Sequence, residues 1–572
     1  MHSLCTNGSW LTRSRRIGFV FAALAVVVAG LVPASTASAV AFSNPTAISP
    51  TGVSAEYPAV AIGPDGTAVS VWILHDSADI VQQATRRPGE TSFSAPETIS
   101  DLNGSAGDPT VSVGADGVVT VAWLDYYGQN ANVSVATRAA GASTFGMPQT
   151  ISEANVRNYA PNLAANSTGE TVVLWTRTVT NLVDRVISQA TRPANSTIFG
   201  SYSDVGIPGG ASQWDARGVF GADGALTVAW WAGSEVWVAD RASGTSTFSI
   251  PVPIGSLSAG ASSVDIAEGA GGLAVVTWSA LSGGVNRVYS ATRQVGATTF
   301  DIAVEMAPTT TNASSPEVVV APDGTITMAY SSASTQNGPT IVLAATRLPG
   351  SSSFDQPVAL STFAGWNPHT LLALDGTVSV VWDCEDGGGQ GLIQRSTRSP
   401  GSANFSVPET VSNALRYSFS NAAAVGGDGS TVVLFRAWSG NQFIWETLVA
   451  GVPLIGEVSP ATGPTIGGTV ITITGFNFTD GVSVTVGGSP CVPVLFVDPQ
   501  TITCETPIGS AGSVDVVVST VDQQQAVAIG AFTFQSPSPP TTSVTTTTTQ
   551  LFEPTTSTTS VNGERIVPAF TG

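Results

Sequence analysis

Lysine is missing altogether: all 20 basic residues of the 572 are arginine. Chemistry that needs a lysine amine is thereby excluded, both Schiff-base catalysis and the phosphate cradle of P-loop nucleotide hydrolases. Histidine is scarce, at three, and charged residues are only 10% of the chain, against ~25% in ordinary globular proteins. What charge there is leans acidic, with 40 Asp and Glu and a net −20, which argues against nucleic acid and anionic membrane surfaces as partners. There is no Cys–His set with zinc spacing and no EF-hand loop, so no metal or other cofactor is expected. Against these absences stand 42% hydrophobic residues, enough for a large core, and a length that suggests three or four domains at ~150 residues each.

Residues 1–39 read as an export signal. Arg13, Arg15 and Arg16 form a basic head, Phe19 to Val32 an apolar run, and Ala37-Ser38-Ala39 a small-residue cleavage site. The run is shorter than the ~20 residues a membrane span needs. Arg15-Arg16 hints at the twin-arginine route, but Sec export is the expectation. Cys5 precedes the apolar run, so it is no lipoprotein acceptor. Removing this segment leaves 17 Arg against 40 acids, a net −23. Abundant Ala, Gly and Val without Lys fits a high-GC bacterium. The expected product is secreted or extracellular, associated with the cell wall or free, monomeric, and not inserted in a membrane.

Residues 40–450 hold eight copies of one unit. A turn pair leads, at a constant spacing of seven, to an aromatic: Asp65-Gly66 to Trp72, Asp116-Gly117 to Trp123, Thr168-Gly169 to Trp175, Asp223-Gly224 to Trp230, Gly271-Gly272 to Trp278, Asp323-Gly324 to Tyr330, Asp375-Gly376 to Trp382 and Asp428-Gly429 to Phe435. Seven copies also carry an Arg and, seven residues on, a Phe, from Arg86/Phe93 to Arg398/Phe405. Each unit contains four strand-like runs, in the first copy Tyr57–Gly63, Thr67–Leu74, Ile80–Arg86 and Phe93–Ser100. Asp-Gly marks a tight hairpin, since Gly supplies the positive φ. The second run is apolar or small throughout, the mark of a strand buried on both faces. The fourth carries Pro in six copies, from Pro45 to Pro408, and Pro belongs on a sheet edge. Four-stranded sheets repeated every ~50 residues make a β-propeller. The chain opens with an orphan fourth strand, Phe42-Ser43-Asn44-Pro45, and its last copy stops after three, so the N-terminal strand closes an eight-bladed ring. An open array or two smaller rings are the alternatives.

From Val452 the pattern changes. Ser459-Pro460, Gly463-Pro464, Gly467-Gly468-Thr469, the run Val470–Thr474, Gly475-Phe476-Asn477-Phe478, Cys491 and Cys504-Glu505-Thr506-Pro507 resemble the IPT/TIG family over residues 451–535. The resemblance implies an immunoglobulin-like β-sandwich used as a spacer or binding module, and no chemistry. Cys491 and Cys504 are expected to form a disulfide, while Cys384, beside Asp383, Glu385 and Asp386, is expected to be a shielded structural thiol. Residues 536–572 read as a disordered Thr/Ser/Pro tail ending in a faint sortase-like Val567 to Gly572. The fold class is thus all-β: an eight-bladed propeller followed by an immunoglobulin-like sandwich.

Chemistry is harder to find. His75 and His369 have no nucleophile elbow nearby, and the repeated Arg sits at a structural register that suits blade packing. The turn-to-aromatic and Arg-to-Phe spacings are constant, but the stretch from aromatic to Arg varies in length, at 14, 15, 17, 11, 15, 17 and 16 residues. It holds the turn between the second and third strands, so one rim of the ring is tailored, and function is expected there. The candidate ligand-binding residues are Tyr126, Tyr127, Trp231, Asp383, Glu385 and Trp438, with Asn441 nearby. No catalytic residue is assigned. The expectation is a non-enzymatic binding or scaffold protein that recognises an extracellular glycan or protein. The alternatives are a carbohydrate-active hydrolase or lyase, recognisable by a convergent acid pair in one pocket, and a purely structural envelope protein.

Overall fold

Gly66, Gly117, Gly224, Gly324 and Gly376 adopt φ between 73° and 85°, the left-handed region that glycine enters without strain, and each closes the hairpin its repeat predicts. The structure is a computed structural model that describes residues 45–536 apart from short stretches, the longest being 307–311, 334–338 and 413–417. The export segment, the Thr-rich tail, the Asp428-Gly429 turn and Asn441 lie outside the described residues.

Every unit is a four-stranded antiparallel sheet, and in the first seven the strands lie in chain order. The first blade comprises Ser54–Ile62, Ala68–His75, Asp79–Arg86 and Glu97–Thr98. Its second strand is buried from Ala68 to Leu74, as a strand packed between neighbouring blades must be. The repeat aromatics Trp72, Trp123, Trp175, Trp230, Trp278, Tyr330, Trp382 and Phe435 are at most 1% exposed. The outer strand is shorter than the Phe93–Ser100 run suggests. The regular ladder is confined to Glu97 and Thr98, with Ser94 and Ile99 donating to Thr85 and Val81 on either side, because Pro96 has no N–H for the ladder.

From the second blade to the seventh, the repeated arginines tie each blade to the preceding one. Arg138 donates to Thr85 Oγ1 at 2.7 Å, Arg241 to Thr191 at 3.1 Å, Arg293 to Thr227 at 2.9 Å, Arg347 to Thr292 at 3.0 Å and Arg398 to Thr327 at 2.7 Å. Several of these guanidiniums also lie over the Phe seven residues on, as with Arg138 over Phe145 at 5.1 Å. The motif spacing therefore encodes a stacked, cross-blade clasp, with hydroxyls accepting more often than carboxylates.

The ring closes through the N-terminus. Thr46 and Ala47 pair with Glu446 and Trp445 as the outer strand of the eighth blade. The paired residues lie just after the Phe42–Pro45 run, again because Pro45 cannot donate. Ile48, Trp72, Val432 and Leu434 share one core across the seam between the last and first blades.

In all eight blades the innermost strand carries a β-bulge, for example between Trp214 and Arg217 or between Trp366 and His369. At the bulge, Tyr57, Asp108, Ala160, Asp215, Ser263, Ser315 and Asn367 hold φ between 44° and 53°. None is glycine, so each costs ~1–3 kcal/mol, and a bulge re-aims the side chains beside it.

Residues from Leu454 to Gln535 form two facing sheets of four and five strands around one core that includes Ile471, Ile473, Phe532 and Phe534. Cys491 and Cys504 are bonded within it. Among the described residues no helix is long and apolar enough to cross a membrane.

Candidate active site

The bulges face the axis of the ring. Beside each lies one residue, six positions before the hairpin turn, whose chemistry changes round the ring: Ala59, Thr110, Asn162, Arg217, Asp265, Glu317, His369 and Ala422. On one side of the ring this position is small or neutral. On the other it is charged in four successive blades. A cavity of about 270 Å³ opens there, lined by Asp215, Arg217, Asp265, Glu317, Asn367, His369 and Asn421 among others. A scaffold repeated eight times thus breaks its symmetry where an asymmetric ligand would enter.

The charged groups form a connected chain. Asp265 accepts from the Val318 amide at 2.9 Å, and Glu317 from the Thr370 amide at 2.9 Å, so each carboxylate is fastened to the next blade. His369 Nδ1 lies 3.0 Å from Glu317 Oε1 and its Nε2 lies 3.0 Å from the Asn421 carbonyl oxygen. Both ring nitrogens face acceptors, which makes the ring a doubly donating imidazolium. Burial opposes that charge, but Glu317 outweighs it and lifts the pKa of His369 to about 9. Burial likewise works on Glu317, but His369 and the Thr370 amide hold its carboxyl below the usual range. Asp265 goes the other way: burial, reinforced by the negative charge of Glu317, pushes it up to about 7. Arg217 reaches Asp215 at 3.4 Å and its charge bears on both carboxylates.

The residues expected on the tailored rim fall in three places. Tyr126 and Tyr127 are on it and exposed, at 37% and 63%. Tyr126 lies across Gly107, where a Cβ would come within 2.7 Å of its ring. Trp231 is also on the rim, half-buried and stacked on Trp214 with centroids 6.1 Å apart. Asp383 is not on a loop at all. It sits in the strand Val378–Glu385, 1% exposed, because Asn367 and Asn421 donate to it at 3.0 and 2.8 Å and compensate its burial. There it supports the cavity from behind by fixing Asn421, whose carbonyl receives His369. Glu385 ends the same strand, half-buried. Trp438 pairs with Gln442 through its backbone, and its side chain lies outside the described residues. Cys384 is buried, and burial followed by Asp383 raises its thiol to about 12, so it is a shielded thiol as expected.

Residues 453–534 match the IPT/TIG domain model. The curated relatives found are Fibrocystin-L of Mus musculus, 38% identical over 73 residues, and of Homo sapiens, 38% over 72. This chain spans about 2% of the length of each. Among solved structures, an ulvan lyase aligns at 9% identity and a TM-score of 0.43, over 71% of this chain and 95% of that one. An α-L-arabinanase of Penicillium chrysogenum aligns at 11% and 0.37, over 71% and 98%. A fungal alcohol oxidase in complex with copper aligns at 11% and 0.40, over 86% and 99%.

The expectation of a non-enzymatic protein is corrected here. The cavity holds the mark set out for an enzyme, two acids, Asp265 and Glu317, converging on one pocket with opposed pKa shifts. Asp265 and Glu317 lie outside the variable turns in which function was expected. The signal was present one strand earlier, in the chemically variable position six before each turn, preceded by Pro in five copies: Pro58, Pro109, Pro161, Pro316 and Pro368.

Proposed function

We propose that the protein is a carbohydrate-active enzyme that breaks a glycosidic bond in the central channel, exported and working outside the cell. The observation that carries this reading is the pairing of Asp265, raised to about 7, with Glu317, lowered from its ordinary value. Two carboxyls pushed apart in this way divide the labour of acid and anion at neutral pH. Asp265 gives its proton to the glycosidic oxygen as the bond to the anomeric carbon breaks. Glu317, kept ionised by His369, stabilises the positive charge that develops on the sugar. Water then adds to the anomeric carbon and returns its proton to Asp265. Arg217 and the Asn367 amide offer donors for sugar hydroxyls along the channel wall.

The test is a panel of neutral and uronate polysaccharides incubated with purified protein. New reducing ends report cleavage, and absorbance of an unsaturated uronate separates elimination from hydrolysis. Product formation that disappears in Asp265→Asn supports the reading. A panel without products, or an Asp265→Asn variant as active as the parent, overturns it. The immunoglobulin-like module then serves as the spacer or accessory binding unit that its resemblance implies.

A further inference from the structure

On the rim beside the cavity, the third and fourth blades carry an aromatic shelf. Tyr159 and Trp214 lie with centroids 5.3 Å apart, and Trp214 stacks on Trp231 at 6.1 Å. All three are half-buried, so part of each ring stays open. Two guanidiniums complete it: Arg185 lies 4.1 Å from the Trp214 centroid, and Arg157 lies 5.1 Å from that of Tyr159. Arg157 is exposed. Trp214 is joined in the chain to Asp215, and Asp215 lines the cavity, so the shelf adjoins the cavity at this strand.

We propose that this shelf is a subsite for an acidic sugar, a uronate residue of the polysaccharide whose neighbouring bond is cleaved in the channel; the assignment rests on the reading of the channel as a glycan-cleaving site. Flat half-open rings match the apolar face of a pyranose, while a planar guanidinium takes a carboxylate through paired N–H donors. Arg185, held against Trp214 and within 3.5 Å of Ser212 Oγ, is already oriented, so little freedom is lost on binding. The negative excess of the chain does not forbid an anion here. Fields from charges farther than about 8 Å are screened at physiological salt, and the guanidiniums on the shelf decide locally.

The experiment measures binding on Asp265→Asn, so that cleavage and recognition are read separately. The probes are a uronate hexasaccharide and its carboxyl-reduced neutral counterpart, titrated by calorimetry. The uronate should bind about tenfold or more tightly, one charge-assisted pair being worth that much. Adding Arg157→Gln and Arg185→Gln should erase the preference while leaving the melting temperature and affinity for the neutral probe in place. Adding Trp231→Ala instead should weaken both probes alike. Equal affinity for the two probes, no binding of either, or a preference that survives loss of both arginines overturns the subsite. Arginine-dependent uronate binding by a protein that cleaves no glycan would leave the shelf standing and sink the catalytic reading alone.

Discussion

His369 donates from both ring nitrogens, to Glu317 Oε1 at 3.0 Å and to the Asn421 carbonyl at 3.0 Å, and so joins three blades across the channel. Its pKa is about 9 in the fold against 6.5 for a free side chain. A group raised on folding contributes stability that is complete below its unfolded pKa and is lost as pH climbs through its folded one. The contribution of His369 is therefore intact below 6.5 and gone above about 9. Glu317, lowered from 4.5, supplies the acid limit, since its contribution is present above 4.5 and fades as pH falls. His369→Gln should melt lower than the parent near neutral pH, and the gap should close as pH rises past about 9. Melting curves across that range check it, and a pH-independent gap would mean that the ring only fills space.

Asp265 predicts a conflict between stability and activity. Its folded pKa of about 7, up from 3.8, means that the ionised form is disfavoured in the fold, so it removes stability as pH rises from 3.8 through about 7. Asp265→Asn keeps an oxygen for the Val318 amide and discards the charge. Above neutral pH this variant should melt higher than the parent. It should also cleave at least about a hundredfold more slowly, the usual worth of a positioned general acid. In the parent, the alkaline limb of the rate profile should fall near pH 7, where the acid loses its proton.

Much of the ring was legible in the sequence because its determinants are local and repeated. The hairpin glycine, the buried aromatic seven residues on and the Arg/Phe pair recur at fixed spacing, so each repeat confirms the others. The site was not legible in the same way. Asp265, Glu317 and His369 are 52 residues apart in turn, and only closure of the ring brings them together. The bulges that aim them leave no consistent residue, since Asp, Ser, Asn, Ala and Tyr all occupy the left-handed position. Asp383 shows the converse error. Its place just after Trp382, in the stretch of variable length, suggested a loop, whereas Asn367 and Asn421 solvate it inside the sheet.

Arg192 and Asp116 offer a test of the clasp between blades. Arg192 Nη1 lies 3.0 Å from Asp116 Oδ2, with side-chain exposures of 0% and 1%. Burial alone would raise the Asp116 pKa, but Arg192 and the amides of Asn195 and Val118 hold it below the ordinary value. Asp116→Asn leaves a guanidinium buried without its counter-ion, which costs about 3–5 kcal/mol. Arg138→Gln at the equivalent register, where the partner is the Thr85 hydroxyl, leaves no buried charge behind and should cost less. Equal losses in denaturant titrations would show that charge pairing is not what distinguishes the two seams.

The seam between the last blade and the first should be weaker than the others, because its outer strand comes from the far end of the chain. Thr46 and Ala47 supply the pairing with Trp445 and Glu446, and Ile48, 8% exposed, sits in the core that joins Trp72 to Val432 and Leu434. Ile48→Ala removes buried apolar volume there, and the usual cost of such a change is about 2–5 kcal/mol. Deleting residues 40–49 removes the strand as well, leaves the Gln442–Val449 strand as an open edge, and should cost more than the point change. Because an exposed edge recruits other strands, the deleted protein should also associate with itself as concentration rises. Thermal melts and sedimentation on parent, point variant and deletion separate the outcomes. A deletion that melts with the parent and stays monomeric would show that the ring holds without its N-terminal strand.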